Sequence, residues 1–286
     1  MSTKKILITG GAGFVGTNLV KLLLKKTNYK IISLDNYSSG SKKNHIKNSR
    51  VKYIRGHSIN INKLINKPKE IKTVFHFGEF ARIYQSFLKM NECISSNSIG
   101  SNAVFNFCLQ NKIKLVYSAT SASLGNKGKD KNLSPYAFSK AKNLELLENL
   151  KKWFNFKYEV IYFYNVYGPH QICKGQMSTV IGIFEDYYKR GKPLPVVKPG
   201  TQSRRFTHID DTINICYLAW KKNLCKHYSI ANKKTFTVLE VAKMFKTKIR
   251  LLPKRPGERY ASALIEKNLS NKMYKHFGKI SLKSYI

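Results

Sequence analysis

Residues 4–16 read KKILITGGAGFVG: a short apolar strand from Lys4 to Thr9 runs into Gly10-Gly11-Ala12-Gly13-Phe14-Val15-Gly16 and opens an amphipathic helix over Phe14 to Lys26. Glycines in that setting allow a tight turn and a close approach of backbone to a pyrophosphate. The start of the helix adds unpaired N–H groups and a favourable dipole. A glycine pattern alone is weak, but between a strand and a helix it predicts a dinucleotide site. Asp35 ends the next apolar run, Lys30 to Leu34, about 20 residues downstream, where a carboxylate accepts hydrogen bonds from the adenosine ribose hydroxyls. A carboxylate there also repels a 2′-phosphate, so NAD is the expected cofactor. Lys42 and Lys43 soften that preference.

Outward from this unit the chain keeps one rhythm. Further strand candidates are Val51 to Arg55, Thr73 to Phe77, Leu115 to Ser118 and Tyr158 to Tyr164. Helical periods lie over Ser86 to Gln110 and Tyr136 to Trp153. Strands alternating with helices predict an α/β fold, a Rossmann-type doubly wound parallel sheet. Beyond Tyr167 the rhythm breaks at Gly168-Pro169, Lys192-Pro193-Leu194-Pro195, Lys198-Pro199-Gly200 and Arg255-Pro256-Gly257. The expected division is a dinucleotide-binding domain over residues 1–167 and a smaller, interleaved substrate-binding part over 168–286, with some segments returning to the first.

At 286 residues the chain can bury a full core. Five cysteines, Cys93, Cys108, Cys173, Cys216 and Cys225, show no C-x-x-C pair and no zinc-like spacing. They read as reduced thiols, and no metal is expected. With no apolar run of membrane length and no h-region at the N-terminus, the cytoplasm is the expected compartment and no membrane partner is expected. The formal charge of +37 is mostly lysine, spread thinly along a chain rich in Asn and Ile. That skew fits AT-rich coding bias better than a nucleic-acid surface, though it favours an anionic ligand.

Tyr136 and Lys140 stand four apart at the start of a predicted helix and so share one face. Thr120 lies just past the fifth strand, at the carboxyl edge where ligands bind. Together they can carry oxidoreduction of a carbinol: Tyr136 as base, Lys140 lowering its pKa and holding the nicotinamide ribose, Thr120 bonding the reacting oxygen. A tyrosine of pKa ~10 must lose roughly three units to work near neutrality, which Lys140 and a positive nicotinamide would supply together.

The chain resembles the extended short-chain dehydrogenases, in particular the nucleotide-sugar epimerase and dehydratase family. The resemblance rests on Thr9 to Gly16, Asp35-Asn36-Tyr37-Ser38-Ser39-Gly40, Asn97-Ser98-Ile99-Gly100, Ser134-Pro135-Tyr136-Ala137-Phe138-Ser139-Lys140, Tyr164-Asn165-Val166-Tyr167-Gly168-Pro169, Gly200 to Asp211 and Arg255-Pro256-Gly257-Glu258, in that order. It implies a cofactor site of Gly10, Gly13, Phe14, Val15, Gly16, Asp35, Asn36, Ser58, Phe77, Gly78 and Asn97 with Tyr136 and Lys140. For the substrate, a nucleotide-diphosphate sugar, it implies Thr120, Asn165 and a clamp of Arg204 and Arg255, whose planar guanidinium groups suit phosphate oxygens. A homodimer through the helices Ser86 to Gln110 and Tyr136 to Trp153 is expected on the resemblance alone.

Departures narrow the reaction. Family dehydratases follow the Thr with Asp-Glu; here Ser121 and Ala122 follow it, so elimination lacks its acid and base. Gly56-His57 replaces the family's Gly-Asp, and the segment between Gly125 and Pro135 is short. Glu79 and Arg82 replace small residues after the fourth strand. They are expected near the nicotinamide or sugar, or as an internal ion pair. The expected activity is epimerisation of a nucleotide sugar, at C4 through a 4-keto intermediate. The alternatives are a 4-ketoreductase or dehydrogenase with the same triad, or a non-catalytic dinucleotide-sensing or RNA-binding protein, which an intact triad argues against.

Overall fold

The structure, a computed structural model, describes residues 4–123, 132–257 and 273–286. Its centre is an eight-stranded parallel sheet. Six strands come from the repeating first half: β1 (Lys5–Thr9), β2 (Lys30–Asp35), β3 (Val51–Arg55), β4 (Ile71–His76), β5 (Lys114–Thr120) and β6 (Tyr158–Phe163). Their spatial order is β3, β2, β1, β4, β5, β6, the doubly wound arrangement whose direction reverses between β1 and β4. Two strands that the sequence reading did not identify, His227–Ala231 and Met273–Phe277, extend the sheet beyond β6.

Alternation along each strand sends side chains to opposite faces. Leu7, Val74, Leu115 and Tyr117 pack on one face with Phe105 and Leu147. Ile6, Ile8, Phe75, Val116 and Ile161 pack on the other with Leu19, Val20 and Leu23 of helix α1 (Phe14–Lys26) and with Ile213 and Trp220 of the helix Ile209–Lys222. A third cluster is built from residues 167 onward, among them Tyr167, Ile181, Phe184, Leu194, Val196, Phe206 and Val241. There the strand Leu194–Val197 pairs with Ile249–Leu252, and Ser203–Arg204 pairs with Phe236–Thr237.

The helix expected over Ser86 to Gln110 is not continuous. It divides into Ile83–Leu88, Met90–Ile94, a π turn over Ser95–Gly100, and Ser101–Gln110. Lys89 leaves helical geometry at the first junction, with φ −128° and ψ 49°. The helix expected over Tyr136 to Trp153 is present as Pro135–Phe154, with the Ser134 hydroxyl accepting from Ala137 N–H, Pro135 in the first turn and Asn155 closing it in the left-handed region. Among the described residues no helix is long and apolar enough to cross a membrane.

Candidate active site

A groove opens at the carboxyl ends of β1, β2 and β4, where the strand order reverses. Gly10 has φ +69°, and a Cβ on it would lie 2.8 Å from the Gly78 nitrogen. A Cβ on Gly16 would lie 2.1 Å from the Gly10 carbonyl oxygen. Glycine is therefore required for α1 to start directly beneath the turn and leave room for a phosphate-bearing ligand. Gly10, Gly13, Phe14, Val15, Gly16, Asp35, Asn36, Ser58, Phe77 and Gly78 all line this groove. The Asp35 carboxylate accepts from Ala12 N–H at 3.0 Å and from Tyr37 N–H at 2.8 Å, which fixes its plane against the groove wall. Burial raises its pKa, and those N–H bonds oppose the rise. His57 does not line the groove; its Nδ1 accepts from Ile59 N–H at 3.2 Å and caps the turn Ser58–Asn60.

This geometry gives a cofactor test. Asp35→Ala should narrow the preference for NAD over NADP by about tenfold or more, since like charges some ~4 Å apart near a protein surface repel by about 4 kcal/mol. Titration of both dinucleotides against the two proteins reads it. An unchanged ratio would mean that Asp35 does not face the ribose.

Thr120 ends β5, and Tyr136 and Lys140 occupy the first turns of Pro135–Phe154. The Tyr136 backbone N–H donates to Ser86 Oγ at 3.2 Å, and its phenol is hydrogen-bonded to the Thr120 hydroxyl. Tyr136 and Lys140 line the same groove as the glycine turn. The structure thus brings Thr120, Tyr136 and Lys140 together with the dinucleotide cradle. The electrostatics differ from expectation. Lys140, 3% exposed, donates to the Glu79 carboxylate and to the Ser118 carbonyl, and its Nζ lies 4.4 Å from the centre of the Tyr117 ring. The Tyr136 phenol is pushed up to about 12, chiefly by burial; the Thr120 bond opposes this, Glu79 adds to it and Arg82 opposes it.

Glu79 is the node of a buried network. Its Oε1 accepts from Ser101 Oγ at 2.8 Å, Tyr117 OH at 3.0 Å and Asn143 Nδ2 at 3.2 Å, while Oε2 takes Lys140. Behind Ser101, His76 Nε2 lies 2.9 Å from its hydroxyl, and His76 Nδ1 lies 2.6 Å from Thr9 Oγ1. Burial holds His76 down at about 4, so its imidazole is neutral at physiological pH. Glu79 and Arg82 both line the groove, as expected of residues near the nicotinamide or sugar, but they do not pair with each other: Glu79 pairs with Lys140, and Arg82 Nε donates to the Met177 carbonyl at 2.9 Å and the Ser178 carbonyl at 3.1 Å. Asn97 is fully buried and does not line the groove; it accepts from Phe80 N–H at 2.6 Å and donates to Phe80 O at 3.0 Å and Ser139 Oγ at 3.2 Å. Its bonds tie the segment after β4 to the helix Pro135–Phe154 behind the groove wall.

Arg204 and Arg255 share a second cavity of about 570 Å³ with Arg190, Arg250 and Gln202. Arg204 Nη1 donates to the Ser203 carbonyl at 2.9 Å, and the Arg255 guanidinium stands 5.0 Å from the Tyr84 ring centre. Arg250 was missed because its strand, Ile249–Leu252, is a short Ile-Arg-Leu-Leu run with no alternation to mark it. Asn165, with φ 31°, is exposed on the turn after β6 and lines neither cavity. Glu258 and residues 125–131 of the short segment lie outside the described residues. Among the described residues no cluster of metal-ligating side chains occurs, and all five cysteines are free.

A doubly wound sheet with a glycine turn, a strand-end carboxylate and a Thr, Tyr, Lys triad around one groove defines a dinucleotide-dependent enzyme of the short-chain dehydrogenase type. The chain belongs to the NAD dependent epimerase/dehydratase family, whose model matches residues 6–231. NAD is accordingly its cofactor, and the glycine cradle and Asp35 fit it. The ADP-L-glycero-D-manno-heptose-6-epimerase of Brachyspira hyodysenteriae is 29% identical over 73% of this chain and 70% of its own length. A putative UDP-glucose 4-epimerase of Methanocaldococcus jannaschii is 27% identical over 77% of this chain and 75% of its own. A mutant UDP-glucuronic acid 4-epimerase from Bacillus cereus, solved with UDP-4-deoxy-4-fluoro-glucuronic acid and NAD, superposes with a TM-score of 0.85 at 25% identity, covering 98% of this chain and 95% of that one.

Proposed function

We propose that the protein epimerises a nucleotide-diphosphate sugar at C4 through a 4-keto intermediate. The observation that carries this reading is the turn Ser121–Ser123 beside the triad. It presents no carboxylate: Ala122 is buried with its N–H on Thr120 Oγ1 at 3.2 Å, and Ser123 Oγ donates to the Thr120 carbonyl at 2.7 Å. Water loss needs an acid and a base there; oxidation and reduction of a carbinol need only the triad. Bound NAD supplies the acceptor and donor of the carbon-bound hydrogen. Tyr136 takes the C4 hydroxyl proton and later returns it to the same oxygen, once the keto sugar has turned its opposite face to the cofactor. Thr120 holds the reacting oxygen and Lys140 orients the nicotinamide ribose. Arg204 and Arg255 hold the diphosphate while the keto sugar turns about it, which keeps the intermediate from solution. NMR analysis of UDP-, GDP-, CDP- and dTDP-sugars incubated with the purified protein tests it. An inverted stereoisomer without added cofactor supports the reading; a product that forms only with stoichiometric NADH consumption would make the enzyme a reductase.

We also infer a homodimer. The broken helical segment 83–110 packs beside Pro135–Phe154, and the two leave Leu88, Met90, Ile99 and Phe138 exposed. Light scattering should give twice the chain mass for the wild type and the chain mass for an Ile99→Glu, Phe138→Glu variant. A monomeric wild type would remove the inference.

A further inference from the structure

Among the described residues, the charged side chains that line the groove are Asp35, Glu79, Arg82 and Lys140. Asp35 accepts from the Ala12 and Tyr37 N–H groups at the end of β2, and Glu79 is paired with Lys140. Arg82 has no such counterpart: among the described residues no carboxylate forms an ion pair with it. Its partners are carbonyl oxygens, those of Met177 and Ser178 on Nε and that of Ala81 on Nη1 at 2.6 Å, while Nη2 donates to no described residue. Arg82 also joins the two cavities. Met177, which holds it, lines the groove, and Cys173, Lys174 and Gly175 of the same segment line the second cavity. Tyr84, two residues further on, faces the Arg255 guanidinium. A Cβ on Gly257 would lie 2.7 Å from the Phe87 ring, so the turn 255–257 packs on the helix that begins directly after Arg82. A sugar nucleotide with its diphosphate at Arg204 and Arg255 and its C4 at Tyr136 therefore passes the Arg82 side chain.

We propose that Arg82 is a specificity-determining residue that receives a carboxylate on the sugar, so that the substrate is a nucleotide-activated hexuronate rather than a neutral hexose. This rests on the reading of the protein as a nucleotide-sugar epimerase acting at C4. The ring carbons on either side of C4 carry the C3 hydroxyl and C6, and C6 is the position that becomes a carboxylate when its carbinol is oxidised. A carboxylate is planar and accepts through two oxygens, a shape that the guanidinium fork matches and an ammonium does not. The three carbonyls fix the plane of the guanidinium before the sugar arrives, so little side-chain freedom is lost on binding. They leave the Nη2 hydrogens for the ligand. A hydroxymethyl group at C6 can accept one hydrogen bond but brings no charge, and a neutral hexose would cover the cation without a counter-charge. Glu79 does not compete for Arg82, because its oxygens are taken by Lys140, Ser101, Tyr117 and Asn143.

Binding to the full-length, NAD-loaded Tyr136→Phe protein tests the proposal without turnover. Calorimetric titration uses pairs that differ only at C6: UDP-glucuronate with UDP-glucose, dTDP-glucuronate with dTDP-glucose, and GDP-mannuronate with GDP-mannose. For the nucleotide that the protein accepts, the hexuronate should bind about 10- to 100-fold more tightly, the contribution of a charge-assisted hydrogen bond. Adding Arg82→Gln should bring the two affinities to within a few fold of each other. Arg82→Lys, which keeps the charge without the fork, should keep part of the preference. A role confined to holding Met177 and Ser178 in place would weaken both members of a pair alike and leave their ratio intact. That outcome overturns the proposal, as does a hexose that binds as tightly as its hexuronate, or the absence of hexuronate binding in all three pairs. The ratio measured with Arg82 intact stands as a test even where Arg82→Gln fails to fold. Inversion is followed separately in the wild type. A hexuronate that binds through Arg82 but is not inverted at C4 would defeat the epimerase reading and leave the assignment of Arg82 standing.

Discussion

Tyr136→Phe is expected to lower turnover of the nucleotide sugar by about 10² to 10⁴, the range over which a positioned acid or base contributes, while NAD affinity stays near the wild-type value. The substitution keeps the ring and removes one oxygen. The lost Thr120 bond is worth only about 1 kcal/mol to the fold, and the Tyr136 N–H still reaches Ser86 Oγ because that contact is made by backbone. A drop in kcat with unchanged melting temperature and unchanged NAD binding would therefore assign the loss to proton transfer. Activity within a few fold of wild type would mean that another group carries the proton. Few candidates are available near the triad: Glu79 is held by Lys140 and three further donors, and burial raises both Tyr117, which lies against Lys140, and Cys93, the latter to about 11.

Gly16→Ala is expected to weaken NAD binding by about 10- to 100-fold, because overpacking at such a contact costs about 1 to 3 kcal/mol and each 1.4 kcal/mol is roughly tenfold in Kd. The new methyl would stand 2.1 Å from the Gly10 carbonyl oxygen and 2.6 Å from the Gly11 Cα, so the clash is with backbone and cannot be relieved by a rotamer. Either the turn or the first turn of α1 must move, and both form the phosphate cradle. Gly13→Ala makes a graded control for the fold: its methyl would lie 3.2 Å from the same oxygen, so its melting temperature should fall much less. Calorimetric titration of NAD together with thermal melts of the three proteins checks both statements. Wild-type NAD affinity in Gly16→Ala would contradict the close packing of α1 on the turn.

Much of the site was legible because its parts are local. The run from Lys4 to Gly16 contains a strand, a turn and a helix start in contiguous residues, and Asp35 and Thr120 are marked as strand ends by the apolar runs before them. Tyr136 and Lys140 follow from helical spacing, with Ser134 and Pro135 announcing the helix. What escaped depends on contacts between distant residues. The Glu79–Lys140 pair spans 61 positions and the Arg82–Met177 bond spans 95, so neither spacing carries a signal. The break at Lys89 is invisible locally because lysine is a good helix former. The π turn beyond it contains Asn97, whose amide is engaged with Phe80 and Ser139, a demand of the tertiary structure. Edge position explains one of the two unread strands; the other, His227–Ala231, lies between it and β6. Met273–Phe277 is the outermost strand, and its sequence mixes Tyr, Lys and His without the apolar run that marks β1 or β5.

In the proposed reaction one bound cofactor carries the same hydrogen out of and back into C4. It is tested most directly with a sugar nucleotide deuterated at C4, chosen as the one the protein inverts, incubated with excess unlabelled NAD in solution. The expected result is an inverted product that retains deuterium at C4 while the NAD pool stays unlabelled. Deuterium appearing in free NADH, or a product with hydrogen at C4, would contradict it and make the protein a net oxidoreductase.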